Sequence, residues 1–334
     1  TEISGLTEQL NVFYLLKLHE KMNRNIVVLT SSLYEANKIY NSLSNYLENT
    51  LLFPMDDFLS SMIVAASPEL KYKRLETLDK LKRGGKNVII TNLMGYLKYL
   101  SEKSVDNSLV INTGDSIRRD DLVSKLTDLG YHTESLVTMS GEVAVRGFIV
   151  DIYPIDEVHP IRVEFDGNTI EAIRYFDENT QLSSGKLASI TIKAIDEVRT
   201  SAHNSLFDYA SNPLVVYVDK SQIEASYKKL AEDIFEYKES NDVTESLMYE
   251  LEEIPDYDRI YVNLFASGKY NLGAKTIENY NQDFERLVKD YKLWQVQGKE
   301  VYFYLSSTRQ ADIIKSYIPD AKIVIKSINN GFIL

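Results

Sequence analysis

The chain has 334 residues, of which 44% are hydrophobic and 26% are charged, and its formal net charge at pH 7 is −12. It contains no cysteine, which excludes disulfides, thiolate nucleophiles and cysteine-based zinc sites, and its histidines are too scattered to indicate a metal cluster. The acidic balance argues against a surface built as a whole to attract phosphate. No apolar run approaches ~18 residues and the first residues lack a signal-peptide pattern, so we expect a cytoplasmic protein without membrane association.

Residues 1–107 alternate strand and helix signals in the way that a parallel, doubly wound sheet requires. Apolar runs predict the strands, and apolar residues at helical spacing predict the helices between them. The predicted elements are strands at 25–30, 50–53 and 87–91 and helices at 32–47 and 70–83. We interpret this segment as the first part of a nucleotide-binding α/β core.

A damaged phosphate-loop pattern lies at residues 5–12 of this core. The template G-x-x-x-x-G-K-[ST] fits at Gly5, but Leu10, Asn11 and Val12 replace its second glycine, its lysine and its hydroxyl residue. Leu10 adds a side chain where the backbone must approach phosphate, Asn11 supplies no cation, and Val12 offers no hydroxyl to magnesium. The alternative is a strand-to-helix turn unrelated to phosphate.

Residues 108–197 predict a small antiparallel domain inserted into the core. The Asp-Gly-Asn sequence at 166–168 lies between two alternating runs, which is a strong hairpin signal. The other predicted elements are strands at 108–112, 143–153 and 190–197 and a helix at 119–129. Glycine at 147 within the first long strand predicts a bulge or a close backbone approach.

Alternation sorts the strands of this domain into two faces. The inward set is Val143, Val145, Ile161, Val163 and Phe165. The opposite face carries Arg146, Arg162 and Glu164, and two guanidinium groups on one small sheet suit bidentate binding of a partner's carboxylates. The alternative is that these arginines are solvated, or paired with Asp151 or Glu164 within the domain.

Residues 198–272 predict the second part of the core. The apolar strand at 213–218 ends in Asp219-Lys220, where a motor ATPase carries Asp-Glu to hold magnesium and activate water. Lys220 removes the second acid, so we expect a core that does not hydrolyse ATP, although a strand ending in Asp is common in any α/β protein. A helix at 221–239 follows, and residues 198–204 form an unusually short connection into this part.

Residues 273–334 predict a further small α/β unit. Helices are expected at 276–291 and 308–317 and a strand at 298–305, with Trp294 serving in packing. This segment carries no residues that indicate chemistry.

The run from 140 to 181 resembles the small β-rich second domain that the excinuclease protein UvrB shares with the amino-terminal part of the bacterial transcription-repair coupling factor. Phe53-Pro54, the Ser-Pro-Glu sequence at 67–69 and the strand at 88–91 extend the resemblance to the coupling factor's first domain, which has a degenerate phosphate loop in the corresponding place. The resemblance implies a degenerate RecA-like α/β core interrupted by the β-rich domain and followed by a small α/β linker domain.

The resemblance also implies that the β-rich domain docks onto the excinuclease protein UvrA, with Arg146 and Arg162 at family contact positions and Glu164 on the same face. Asp166 stands where the family usually has a second phenylalanine, which removes an apolar anchor. In the family, the ATP- and magnesium-dependent translocase, which acts on double-stranded DNA, and the RNA polymerase-binding domain come later in the chain. No cofactor is therefore expected here.

Three functions remain open from the sequence. The first is a non-catalytic module of nucleotide excision repair that recruits UvrA, with Gly5, Asn11, Val12, Asp219 and Lys220 as remnants of a nucleotide site. The second is an ATP-dependent damage-loading enzyme like UvrB, which the damaged phosphate loop disfavours. The third is an α/β scaffold that binds nucleic acid directly, which the acidic charge disfavours.

Overall fold

The computed structural model describes residues 1–58, 68–102, 108–195, 203–263 and 270–334. Much of the predicted loop after Phe53 and most of the predicted short connection at 198–204 lie outside these residues. Across the described part of the chain, none of the helices is long and apolar enough to cross a bilayer.

The first segment forms strands and helices in strict alternation. Thr7 and Ser32 cap the first two helices, each accepting a hydrogen bond from a backbone N–H in the first turn. The elements are β1 (Glu2–Ser4), α1 (Glu8–Lys21), β2 (Ile26–Thr30), α2 (Leu33–Ser44), β3 (Thr50–Phe53), α3 (Pro68–Lys82), β4 (Val88–Asn92) and α4 (Leu93–Tyr96).

The inserted domain is built on a six-stranded sheet beside a two-stranded sheet. Its elements are β5 (Ser108–Asn112), α5 (Arg119–Asp128), β6 (His132–Thr133), β7 (Glu142–Arg146), β8 (Ile149–Ile152), β9 (Ile161–Asp166), β10 (Thr169–Phe176), β11 (Ser183–Leu187) and β12 (Ser189–Lys193). The larger sheet has the order β11-β10-β9-β8-β7-β6, and β5 pairs with β12 in the smaller one. Helix α5 packs its buried Leu122 and Leu126 into the core on one face of the larger sheet.

The prediction of one strand at 143–153 is wrong. Gly147 has a φ of +59°, and Arg146 pairs with Ile149, so the chain reverses in a two-residue turn and makes two strands. The glycine permits this turn rather than a bulge. The predicted hairpin around 166–168 is confirmed, because β9 and β10 are paired antiparallel neighbours.

The chain then returns to the first sheet. Its elements are α6 (Leu206–Ala210), β13 (Leu214–Val218), α7 (Lys220–Ser240), a 3₁₀ turn (Leu251–Glu253), β14 (Arg259–Asn263) and β15 (Tyr270–Asn271). The sheet has the order β15-β1-β14-β13-β2-β4-β3, and its pairings are parallel. The predicted α/β core interrupted by a small antiparallel domain is thereby confirmed.

Helices cover both faces of this parallel sheet. Val28 packs in one core layer with Leu15 of α1 and with residues of α2, whereas Val27 packs in the opposite layer with Leu78 of α3 and Leu230 of α7. Burial on both faces explains why these strands are continuously apolar.

The last unit is a small α/β arrangement. Its elements are β16 (Lys275–Thr276), α8 (Phe284–Val296), β17 (Tyr302–Leu305), α9 (Thr308–Tyr317), β18 (Lys322–Ile325) and β19 (Phe332–Ile333). Strands β17 and β18 pair in parallel. The helix predicted at 276–291 is therefore misplaced. Asn281 and Gln282 have positive φ, and Asp283 caps α8 by accepting a hydrogen bond from the Arg286 N–H at 2.9 Å.

Candidate partner-binding face and nucleotide-site remnant

The candidate partner-binding face is the side of the six-stranded sheet that carries Arg146 and Arg162. Asp151 on β8 lies directly opposite Ala144 on β7 and Arg162 on β9. Its side chain is only 1% exposed. The register therefore brings both arginines to one buried carboxylate.

The two arginines bind this carboxylate differently. Arg162 makes a bidentate contact, from Nε to Asp151 Oδ1 at 2.7 Å and from Nη2 to Oδ2 at 2.9 Å. Arg146 donates only from Nη2 to Oδ2. The hydrogen bonds to Asp151 are the main cause that raises the pKa of Arg162.

Gln181 holds both arginines from the loop after β10. Its Oε1 accepts from Nη2 of Arg146 at 3.2 Å and from Nη2 of Arg162 at 3.1 Å, and its backbone oxygen accepts from Nη1 of Arg162 at 3.3 Å. The Arg162 guanidinium also lies over the Phe176 ring, 4.5 Å from its centroid. The guanidinium of Arg162 is thus fixed on several sides.

Exposure separates the two residues. The Arg146 side chain is 44% exposed, whereas that of Arg162 is 14% exposed. The prediction that both point outward is therefore corrected for Arg162, which packing against Phe176 and pairing with Asp151 keep largely buried. Both arginines pair with Asp151, which was one of the alternatives left open by the sequence.

Glu164 lies on the same face but pairs elsewhere. Its Oε1 accepts from Nε of Arg174 at 3.2 Å, and both side chains are 30% exposed. Arg174 lies opposite Arg162 on β10, and Lys186 lies opposite Arg174 on β11. The face therefore presents a basic band, defined as Arg146, Arg162, Arg174 and Lys186.

The sequence reasoning missed Arg174 and Gln181. Arg174 reaches this face because the pairing of β10 with β9 shifts between Ile170 and Ala172, and simple alternation along one strand cannot foresee such a shift. Gln181 lies in a loop with a φ of +61°, a position that carries no pattern signal. Asp151 had a signal, since it alternates with buried Val150 and Ile152.

A small cluster covers one end of the face. Val137, Ala144 and Phe176 are buried together, with Tyr153 packed against them. The segment that carries Val137 is held by Glu142, whose carboxylate accepts from the backbone N–H groups of Thr138 and Met139 at 2.7 and 2.8 Å.

The nucleotide-site remnant begins at the turn between β1 and α1. Gly5 has a φ of +69°, and a Cβ there would lie 2.8 Å from the backbone nitrogen of Gly273, so this turn requires glycine. Helix α1 starts at Glu8, which leaves too short a loop to wrap a phosphate. Asn11 and Val12 accordingly lie inside the helix and are 4% and 3% exposed.

Three of the five predicted remnant residues meet in one crevice. Asn11, Val12 and Asp219 line a cavity of about 60 Å³, whereas Gly5 and Lys220 are not among its lining residues. Asp219 caps α7 by accepting from the Gln222 N–H at 3.3 Å.

The charges around this crevice oppose a nucleotide. Its lining includes the carboxylates of Glu8, Glu35 and Asp219, and its lysine, Lys38, is paired with Glu8. Lys220 pairs instead with Glu224 at 3.5 Å. The residues present therefore do not fit a nucleotide triphosphate. In the described residues no group of three or more His, Asp or Glu side chains is placed to hold a metal ion.

Comparison with known proteins finds two similarities, one to a segment of the chain and one over most of it. The family model of the UvrB interaction domain matches residues 109–197, the segment that carries the basic band. Residues 109–197 are therefore similar to a domain of that class.

Over a longer stretch the chain is similar to transcription-repair-coupling factors. That of Bacillus subtilis (strain 168) is 31% identical over 200 residues, covering 59% of this chain and 17% of the relative. That of Staphylococcus aureus (strain Mu50) is 27% identical over 288 residues, covering 85% of this chain and 24% of the relative. The chain thus spans about a quarter or less of the length of these relatives, and the resemblance predicted from its sequence is confirmed.

Proposed function

We propose that this chain is the non-catalytic amino-terminal module of a transcription-repair coupling factor, and that its β-rich domain recruits the excinuclease protein UvrA. The observation that carries the proposal is the basic band, organised around buried Asp151, within the segment that matches the UvrB interaction domain. The similarity to coupling factors over 85% of the chain supports the wider assignment.

The geometry gives the two arginines different roles in this proposal. Nη2 of Arg146 serves both Asp151 and Gln181, and among the described residues its Nε and Nη1 have no acceptor. Because Nε–H and Nη1–H point in different directions, each of these donors can make a single hydrogen bond to a carboxylate of the partner. Arg162 uses Nε, Nη1 and Nη2 internally, so it braces the site while Arg146 makes the contact.

Glu164 has a secondary role in the proposal. Its ion pair with Arg174 keeps that guanidinium beside Arg162 on the neighbouring strand. Glu164 therefore sets the position of the basic band rather than supplying an attractive contact of its own to an acidic partner.

We also propose that the chain neither binds nor hydrolyses ATP. The short turn at Gly5, the buried Asn11 and Val12, and the acidic lining of the crevice support this proposal. Use of ATP and magnesium, and contacts with RNA polymerase and double-stranded DNA, then belong to other parts of the full-length protein.

Titration calorimetry against purified UvrA tests the recruitment. Arg146→Glu should weaken binding about tenfold or more, because a carboxylate replaces the half-exposed donor. Lys125→Glu is a matched control, since it makes the same charge change on α5, which packs against the other face of the sheet. Undiminished binding of a folded Arg146→Glu variant would overturn the proposal.

A further inference from the structure

The crevice at the remnant nucleotide site lies where an α/β sheet usually binds ligands. Strands β2 and β13 are neighbours, but α2 follows β2 on one face of the sheet and α7 follows β13 on the other. Ligand sites of doubly wound sheets open at the carboxyl ends of such diverging strands. Ser31 after β2 and Asp219 after β13 both line the crevice.

A segment of the chain itself lies across the mouth of this crevice. The backbone N–H of Asn329 donates to Oε1 of Gln9 at 3.0 Å, and its Nδ2 donates to Oγ of Ser42. Nearby, the Tyr46 hydroxyl donates to the backbone oxygen of Ser327 at 2.7 Å. Asn329 also lines the cavity, so residues of the last unit close a site formed by α1, α2 and α7.

Aromatic contacts extend the same interface. The Phe13 ring of α1 lies 5.7 Å from the Tyr304 ring and 6.0 Å from the Phe332 ring. Nζ of Lys326 lies 5.0 Å from the centre of the Tyr46 ring. Docking therefore combines apolar burial with specific hydrogen bonds.

We infer that the former ligand crevice now serves as the docking site for residues 326–333 of the same chain. Asn329 is the residue through which the crevice recognises this segment. A neutral amide suits a mouth lined by Glu8, Glu35 and Asp219, where a phosphate would be repelled. The inference is independent of the proposed partner, because it concerns a different sheet.

Unpaired polar atoms in the docked crevice make the docking reversible. Nε2 of Gln9, Oδ1 of Asn11 and Oδ2 of Asp219 are buried without a protein partner in the described residues. Polar groups that are buried without a partner lose their hydrogen bonds to water when the crevice closes, and this cost opposes docking. Residues 326–333 thus act as a latch that can open to free the last unit from the core.

Hydrogen exchange of the whole chain, followed by mass spectrometry of its peptides, tests the latch. Asn329→Ala removes the amide donor to Ser42, and we expect exchange in peptides covering 326–333 to become about fivefold faster or more. Asn330→Ala is the control, because the neighbouring exposed asparagine has no hydrogen bond among the contacts described above. Ser42→Ala, which removes the acceptor, should produce the same change as Asn329→Ala.

The readout also separates docking from folding. Peptides of β2, β13 and the β-rich domain should exchange at the wild-type rate in the Asn329→Ala and Asn330→Ala variants, since both residues are exposed and contribute nothing to those cores. The inference is overturned if Asn329→Ala leaves exchange at 326–333 unchanged, or if those amides already exchange at the rate of an unstructured peptide in the wild-type chain.

Discussion

At the scale of single residues, Asp151 is the centre of the candidate partner-binding face. It is buried, and it compensates one arginine that is largely buried and another that is half exposed. A buried carboxylate costs stability unless it is paired, and here the pairing fixes the orientation of Arg146 toward solvent.

Asp151→Asn should destabilise the β-rich domain by about 3 kcal/mol, because it leaves the poorly exposed guanidinium of Arg162 without its counter-charge. Hydrogen exchange of the amides in β8 and β9 measures this local free energy of opening. Arg146→Gln, which removes the more exposed partner, should cost about 1 kcal/mol or less. Equal effects of the two substitutions would contradict this description of the site.

The sequence could place these arginines on one face but could not choose their partner. Alternation along 161–165 correctly placed Arg162 on the face of the sheet away from the buried Val163. It left both Asp151 and Glu164 as possible ion-pair partners of the arginines. The choice depends on the register of β8 against β9, which pairs Asp151 with Arg162. That register is a long-range property of the sheet and has no local signal.

At the scale of elements, errors of prediction arose where turn chemistry was hidden inside a continuous pattern. The alternating run from 143 to 153 reads as one strand, although Gly147 divides it. The apolar spacing from 276 to 291 reads as one helix, although two residues with positive φ precede Asp283, the actual cap of α8. Elements without such interruptions, including α9 and β3, lie where the pattern predicts them.

The turn that precedes β7 should make the β-rich domain sensitive to acid. Burial of Glu142 opposes its ionisation, but hydrogen bonds from the amides of Thr138 and Met139 prevail and lower its pKa. A carboxyl with a lowered folded-state pKa adds stability above its unfolded pKa of about 4.3, and this stability is lost as the pH falls through the folded value. The turn positions Val137 over Ala144 and Phe176.

Glu142→Gln should therefore lower the free energy of unfolding at neutral pH, by less than about 1 kcal/mol because solvent screens this carboxylate, and by less still below about pH 3.5. Urea unfolding followed by NMR signals of the β-rich domain measures both values. Glu171→Gln is the comparison, because it is the same chemical change at an exposed carboxylate that makes no hydrogen bond or ion pair with the described residues. A difference between wild type and Glu142→Gln that stays constant with pH would exclude the proposed role of this carboxylate.

At the scale of the whole molecule, charge is distributed unevenly. The chain as a whole carries −12, yet the β-rich domain presents a band of four basic side chains, Arg146, Arg162, Arg174 and Lys186. Internal carboxylates already pair with Arg146, Arg162 and Arg174. The band thus suits one acidic protein surface better than the continuous phosphates of a duplex, which need many unpaired cations.

The last prediction concerns the two alternative functions together. The purified chain, supplied with ATP, magnesium and duplex DNA, should release no phosphate above a blank, because the crevice is acidic and its phosphate loop is replaced by the turn at Gly5. Fluorescence anisotropy should likewise detect no binding of a labelled duplex at about 0.15 M salt. DNA-dependent phosphate release that is lost in the Asp219→Ala variant would instead indicate a loading enzyme. Salt-sensitive binding of the duplex without any phosphate release would indicate a nucleic-acid scaffold.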